Sequence, residues 1–396
     1  MPLNMTSPTS PEDLENIGRK KINDGDLRRG VKLLVQAGKK YEEFGDTLAA
    51  AKVYKYIGLK LLPNPTLKEK ARPFLLKSAF LYLHLISGEI EKYEVNLFKL
   101  EDFCVNVIES FAILNDREKL NKYTKEFAKM YEELAESYFD SDEIESAIVA
   151  YEAAYRYYKF IDAEEETKSV AGKLIDLYGK ISTEYLGRKD HENAADIFYR
   201  IGYFVKDLFG YDEHYKEMLE TAAKNYEKAS KMAYAEGNLE KTTEILLKAQ
   251  YAYLLARKTG RAKLIGVNVS RMLYQLINSH RSSGNYEKAY EKMMRLAQAL
   301  LGLGKLREAL AIYKDVIADS PKLDYKITIR IAFLKYLAAE KEDTDLLEKI
   351  EQIEFYMRRG DLLKAFDISH KILDGNKELE EFKKKLYEAE GISSTL

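Results

Sequence analysis

Turn positions recur along the middle of the chain at a nearly constant interval. Four of them stand at Asp142, Lys189, Gly237 and Gly284, the first two being taken as degenerate members of the set. The intervals between them are 47, 48 and 47 residues. A fixed period of this length indicates a repeat array, because one repeat cannot bury its apolar face alone and must stack on its neighbours.

Residue types are also fixed at set distances from these turns. Eleven residues before them stand Tyr131, Tyr178, Tyr226 and Leu273, and eight before stand Leu134, Ile181, Ala229 and Leu276. Five after them stand Ala147, Ala194, Thr242 and Ala289, and nine after stand Tyr151, Phe198, Leu246 and Met293. Spacings of three and four place side chains on one helical face, so each unit is predicted to be two amphipathic helices folded back on one another.

The turns themselves favour helical hairpins. Pairs such as Gly25-Asp26 and Gly284-Asn285 supply a left-handed residue that ends one helix and a side chain that caps the next. Only 7 of the 396 residues are Pro, so helices can run long. We expect an all-α fold, a right-handed α-solenoid of antiparallel helix hairpins with about 16 helices and no sheet.

Three segments are expected along the chain. Residues 1–10, rich in Ser, Thr and Pro, are predicted to be a disordered tail before a helix that is capped by Ser10 and has Pro11 at its first position. Residues 11–283 are predicted to form the long-hairpin solenoid. Residues 284–396 are predicted to continue the array with hairpins similar to tetratricopeptide repeats, because Gly-Asn-Tyr-Glu-Lys-Ala-Tyr at 284–290 looks like the centre of such a repeat.

Composition limits the classes of function. Lys and Arg total 63 against 65 Asp and Glu, which argues against nucleic-acid binding. No uncharged apolar run approaches the ~18 residues of a membrane span, so we expect no stable membrane anchoring. The single cysteine, Cys104, allows no disulfide within the chain and favours a cytoplasmic location. Abundant Lys and Glu without Trp resemble the composition of proteins from hot environments.

Part of the chain carries a family likeness. The runs at 131–138 (YEELAESY), 144–159 (IESAIVAYEAAYRYYK) and 194–199 (AADIFY) resemble soluble NSF attachment proteins, and the likeness covers roughly residues 26–250. The resemblance implies long-helix hairpins that clasp a helical membrane-fusion bundle with basic residues and recruit a ring-shaped AAA ATPase. The chain departs from that family at Asn23–Asp26, where an apolar membrane-touching loop is expected, and at 285–396, which adds hairpins.

A column of basic residues is the first candidate binding feature. Lys129, Lys224 and Arg271 lie thirteen residues before their turns, and Lys180 and Lys228 lie nine before. If the first helices line the concave surface, these side chains form a broken basic ladder suited to an acidic helical partner. The alternative is that they are ordinary solvated charges.

Other residue types give weaker signals. Tyr157 and Tyr158, among four tyrosines crowded on one helix, are the rings expected to be exposed for recognition, the alternative being repeat packing. The five histidines lack metal-ligand spacing. Cys104 lies among apolar neighbours and is predicted to be a buried structural thiol. We therefore predict no catalytic, cofactor or metal site.

The sequence thus favours a non-enzymatic adaptor that binds a helical or extended segment of a partner protein on a concave face. One alternative is a regulatory repeat sensor that holds a peptide or small ligand in an apolar cavity. Another is an enzyme with its site in the irregular region 63–115 or in the last hundred residues.

Overall fold

The computed structural model describes residues 10–210, 212–341, 343–358, 360–375 and 379–390, and these form eighteen helices without a strand. The first nine are α1 (Pro11–Asn23), α2 (Leu27–Glu43), α3 (Thr47–Leu61), α4 (Lys68–Ile90), α5 (Leu97–Ile113), α6 (Arg117–Asp140), α7 (Ile144–Phe160), α8 (Glu164–Gly187) and α9 (His191–Phe209). The others are α10 (Glu213–Ala235), α11 (Leu239–Leu255), α12 (Thr259–Ser282), α13 (Tyr286–Gly302), α14 (Leu306–Asp319), α15 (Leu323–Lys341), α16 (Thr344–Arg358), α17 (Leu362–Asp374) and α18 (Glu380–Ala389). The all-α prediction is confirmed. The expected tail, Ser10 excepted, lies outside the described residues.

Short turns with one left-handed residue separate most helices. Asp142 and Lys189 have φ angles of 62° and 60°, which confirms their assignment as degenerate turn positions. Asn115, Asp162 and Arg257 adopt the same conformation without any glycine to mark it. The estimate of about 16 helices is too low by two, because turns without glycine hide helix boundaries from sequence analysis.

Caps and close packing explain the repeat columns. Asn238 and Asp26 cap α11 and α2 by accepting hydrogen bonds from backbone N–H groups three residues on. The small column of Ala147, Ala194, Thr242 and Ala289 is buried, as is the column of Tyr131, Tyr178, Tyr226 and Leu273. Small side chains on the second helices let the two helices of each hairpin approach while the large ones fill the interface.

Tyrosine hydroxyls fasten consecutive helices through carboxylates. Tyr41 donates to Glu15 (2.9 Å), and Tyr253 donates to Glu227 (2.6 Å), in each case across 26 residues. A third pair, which also spans 26 residues, joins Tyr158 to Glu132 at 3.0 Å. A hydrogen bond to a charged acceptor contributes roughly 1.5–3 kcal/mol. The high tyrosine content is therefore partly explained by a recurring clasp.

The helices form two compact units, Met1–Lys173 and Leu174–Leu396, with the division inside α8. The division does not coincide with the domain boundary predicted after residue 283, which stays a prediction. From α6 to α13, long helices of 23 or 24 residues alternate with shorter ones. This alternation stops after α13, since α14 has only 14 residues. Among the described residues, none of the helices combines the length and apolar character that a membrane crossing needs.

A buried ion pair joins the end of α18 to the rest of the second unit. The side chains of Arg330, in α15, and Glu390, which follows α18, are both 0% exposed and make two hydrogen bonds of 2.7 and 2.9 Å. The Tyr313 hydroxyl donates to the same carboxylate (2.6 Å), and the guanidinium stacks over the Phe366 ring at 4.6 Å. Four helices thus converge on one charge pair.

We predict that Lys189→Gly stabilises the second unit. Lysine pays a steric cost in the left-handed conformation that glycine avoids, although glycine loses more entropy on folding, so the free energy of unfolding should rise by about 0.5–1 kcal/mol. The matched opposite change, Gly237→Ala, should lower it by about 1–2 kcal/mol. Urea titrations followed by circular dichroism measure both, and a destabilised Lys189→Gly variant would contradict the argument.

We also predict that Glu390→Ala destabilises the packing of α18 by about 3–5 kcal/mol, because it leaves Arg330 buried without a counter-charge. Removing both charges with Arg330→Met and Glu390→Leu should restore most of the loss. Hydrogen exchange of α18 amides reports the effect. The exposed pair Lys371 and Asp367 (2.7 Å) provides the control, since Asp367→Ala should cost at most about 1 kcal/mol.

Candidate functional site

A cavity of about 560 Å³ lies in the second unit between the short helices. Its walls come mainly from α9, α11, α13 and α15, with contributions from α10 and α16. The helices α11, α13 and α15 contact one another directly, which brings side chains distant in sequence to one surface. The second helices α9, α11 and α13 therefore supply more of the wall than the first helices, of which α10 contributes Tyr226.

Aromatic and apolar side chains form much of the wall. The rings of Tyr199 and Tyr251 approach with centroids 6.4 Å apart, and Tyr336 lines the cavity from α15. The aliphatic surface is supplied by Leu247, Leu254, Ile331, Ala332 and Met357. Tyrosine offers a large apolar ring with a polar tip, so this wall suits a ligand of mixed character.

Two ion pairs, Asp196 with Lys248 and Lys335 with Glu354, lie in the cavity wall. Asp196 accepts hydrogen bonds from the buried Tyr226 hydroxyl and from Lys248 (3.1 Å). Lys335 lies 2.6 Å from Glu354 and 4.8 Å from the centre of the Tyr251 ring. Burial and the Asp196 charge raise the pKa of Tyr226 well above its usual value, so its hydroxyl keeps its proton and donates.

Gln250 and two glycines shape the floor. The Gln250 side chain is buried and donates to the Ala299 carbonyl across 3.1 Å. A methyl group on Gly302 would lie 2.4 Å from its amide nitrogen, and one on Gly266 would lie 2.5 Å from it. The amide therefore occupies space that only glycine leaves open between these helices.

The predicted basic residues lie elsewhere. Lys180, Lys224, Lys228 and Arg271 are exposed on α8, α10 and α12, and the lining of this cavity includes none of them. These four residues lie on first helices, whereas second helices supply most of this cavity wall. Lys224 pairs with Glu220 at 2.7 Å. Lys129, in the first unit, borders a groove beside Lys125 and Glu166. A partner-binding role for all five stays a prediction.

The predicted exposure of two tyrosines is wrong. Tyr157 is 8% exposed and packs against Phe127 and Tyr131, with ring centroids 6.2 and 5.8 Å away. Tyr158 is 1% exposed because its hydroxyl reaches Glu132 inside the hairpin. Both rings belong to the core, and neither is available to a partner.

Reactive side chains are not gathered at the cavity. Cys104 is buried in the first unit, as predicted, and burial raises the pKa of its thiol well above its usual value. Across the described ranges, no group of three or more His, Cys, Asp or Glu side chains is placed to hold a metal ion. The lining offers hydrogen bonds, rings and paired charges, which are means of binding. Sequence reasoning missed this site, although Gly266 and Gly302 inside helices were an available signal.

A scan of protein-family models finds no match to the chain, and a search of curated proteins finds no relative. The resemblance to soluble NSF attachment proteins therefore stays a prediction.

Solved structures give distant matches. A circular tandem repeat protein is 16% identical, with coverage of 92% of this chain and 91% of that chain and a TM-score of 0.26. A signal transduction ATPase with a tetratricopeptide repeat sensor from Pyrococcus horikoshii is 15% identical, with coverage of 92% and 56% and a TM-score of 0.31. A Rap conjugation gene regulator, solved in complex with a Phr peptide, is 14% identical, with coverage of 96% and 99% and a TM-score of 0.21. At these scores the fold assignment rests on the helices described above.

We predict that Gly302→Ala destabilises the second unit by about 1–3 kcal/mol, because the new methyl group displaces the Gln250 amide from its buried hydrogen bond. Gly260 in α12 meets no atom within 4 Å of an added methyl group and is the matched control. Gly260→Ala should be neutral or stabilising by up to about 1 kcal/mol. Equal losses in the two variants, measured by urea unfolding, would show that the crowding at Gln250 has no effect.

Proposed function

We propose that this chain is a non-enzymatic helical-repeat adaptor whose second unit binds a short extended segment of a partner protein in the cavity. The observation that carries the proposal is the lining, which combines tyrosine rings and aliphatic side chains with two balanced charge pairs. Interfaces that recognise peptides are enriched in such amphipathic rings.

The cavity has room for a short segment of chain. One turn of α-helix, about 10 Å across and 5.4 Å long, fills roughly 420 Å³. A residue occupies about the same volume in an extended chain, so a cavity of about 560 Å³ encloses roughly four to five residues in either conformation. An extended segment presents its side chains alternately to the two walls, and its backbone groups remain open to hydrogen bonds from them.

Polar groups in the walls can satisfy a peptide backbone. Gln298 and Thr328 line the cavity, and their side chains are partly exposed within it. An amide both donates and accepts, which matches the alternating groups of an extended main chain. Lys335 and Glu354 are also partly exposed, so either can exchange its partner for a charge on the incoming segment.

The cavity volume also favours a second candidate, a regulatory sensor for a small ligand, since such sites commonly span ~300–1,000 Å³. The two candidates differ in how much of the ligand lies inside the cavity. A peptide extends beyond the cavity and gains affinity with length, whereas a small ligand is fully enclosed. The helical bundle and the AAA ATPase implied by the family resemblance remain further predictions about partners.

We predict that Ala332→Trp blocks peptide binding, because the indole fills the cavity. Phage-displayed random 12-residue peptides are selected on the wild-type chain, and the enriched sequences are synthesised and measured by calorimetry. Affinity should fall at least tenfold in Ala332→Trp and stay unchanged in Ala112→Trp, where the added indole lies on the exposed surface of α5. Failure to enrich any peptide, or equal affinity in the two variants, contradicts the peptide proposal.

A further inference from the structure

One flank of α12 carries an apolar stripe that faces solvent. Leu264, Val267 and Tyr274 are 53%, 48% and 51% exposed, and Arg271 lies exposed between the last two. The spacings of three, four and three residues are those of alternating a and d positions in a coiled coil. Single exposed apolar side chains are ordinary, but a stripe at this spacing forms a seam for another helix.

The repeat itself provides an internal comparison. The same four positions, counted back from the turn, carry no large apolar residue in α6, α8 and α10, the other long helices of the regular repeat. They are Lys122, Lys125, Lys129 and Glu132 in α6, Ser169, Gly172, Asp176 and Gly179 in α8, and Glu217, Glu220, Lys224 and Glu227 in α10. The apolar stripe is therefore particular to α12 and is not a requirement of the hairpin.

In α6 and α10, the equivalent flank forms ion pairs with the next long helix. In the second unit, Glu220 and Glu227 of α10 pair with Lys258 and Arg261 at the start of α12, at 3.0 and 3.2 Å. In the first unit, Lys125 of α6 pairs with Glu166 of α8 at 2.8 Å. The helix after the α12 hairpin, α14, has only 14 residues, and the described residues leave the α12 flank about half exposed.

Charge indicates the kind of helix that fits. The 24 residues of α12 include no Asp or Glu. Arg271 stands inside the stripe, and none of the acidic side chains in the described ranges forms an ion pair with it. A partner that buries the stripe must compensate this guanidinium, because a buried unpaired charge costs several kcal/mol.

We propose that this flank binds an amphipathic α-helix of a partner protein, with apolar residues at a and d positions and an Asp or Glu opposite Arg271. The partner helix takes the place of the missing long helix and extends the array by one element. The interface is separate from the cavity and does not depend on its function.

Two designed peptides test the proposal on the full chain. Each is a three-heptad amphipathic helix with Leu at the a and d positions, except for one central a position that is Glu in one peptide and Lys in the other. Fluorescence anisotropy of the labelled peptides measures affinity. The Glu peptide should bind at least tenfold more tightly than the Lys peptide, and Arg271→Glu should reverse that preference.

Further variants distinguish binding at the apolar stripe from nonspecific binding of the peptide elsewhere on the surface. The double variant Leu264→Glu with Val267→Glu should lower the affinity for the Glu peptide at least tenfold. Lys32→Glu, which changes charge on the exposed surface of α2, should leave that affinity unchanged. Far-ultraviolet circular dichroism verifies that each variant is folded. If Arg271→Glu is not folded, Arg271→Ala replaces it and should abolish the preference for the Glu peptide over the Lys peptide. Equal affinity for both peptides, no binding of either, or self-association of the chain through Leu264 and Val267 in sedimentation would each overturn the proposal.

Discussion

The structure depends on the fact that a helical hairpin of this length covers only one of its apolar faces. The remaining face must be covered by the next hairpin, and the column that begins at Ala147 sets how closely the helices approach. Hydroxyl-to-carboxylate clasps such as Tyr253 to Glu227 then fix the alignment of neighbouring helices. Apolar packing and tyrosine-to-carboxylate hydrogen bonds therefore act at the same interfaces between helices.

Sequence reasoning recovered what the period encodes. The helical class and the turns at Asp142 and Lys189 could be predicted because their neighbours repeat every 47 or 48 residues. The turn at Arg257 could not, since arginine does not favour the left-handed conformation. Asn115 is of a type that does, but it lies outside the regular period and was not recognised as a turn. Local patterns therefore predict elements well and predict the number of elements less well.

Tertiary features escaped prediction for a different reason. Tyr157 and Tyr158 looked available because four tyrosines crowd one helix, but a hairpin interface is wide enough to bury rings on two sides. The cavity combines residues from Asp196 to Met357, which no local pattern relates. The basic residues were identified correctly as exposed, yet the assumption about which helices face inward came from no observation in the sequence. Which layer faces inward follows from contacts such as those among α11, α13 and α15.

The pair formed by Arg330 and Glu390 has a consequence for how the protein is made. The arginine is synthesised sixty residues before its carboxylate partner, so for part of translation its guanidinium lacks the counter-charge that it has in the folded protein. Until then the pocket that later holds it must stay hydrated, since a lone buried cation is costly. Closure of this part of the core is thus coupled to completion of α18, which orders assembly from the earlier hairpins toward the later ones.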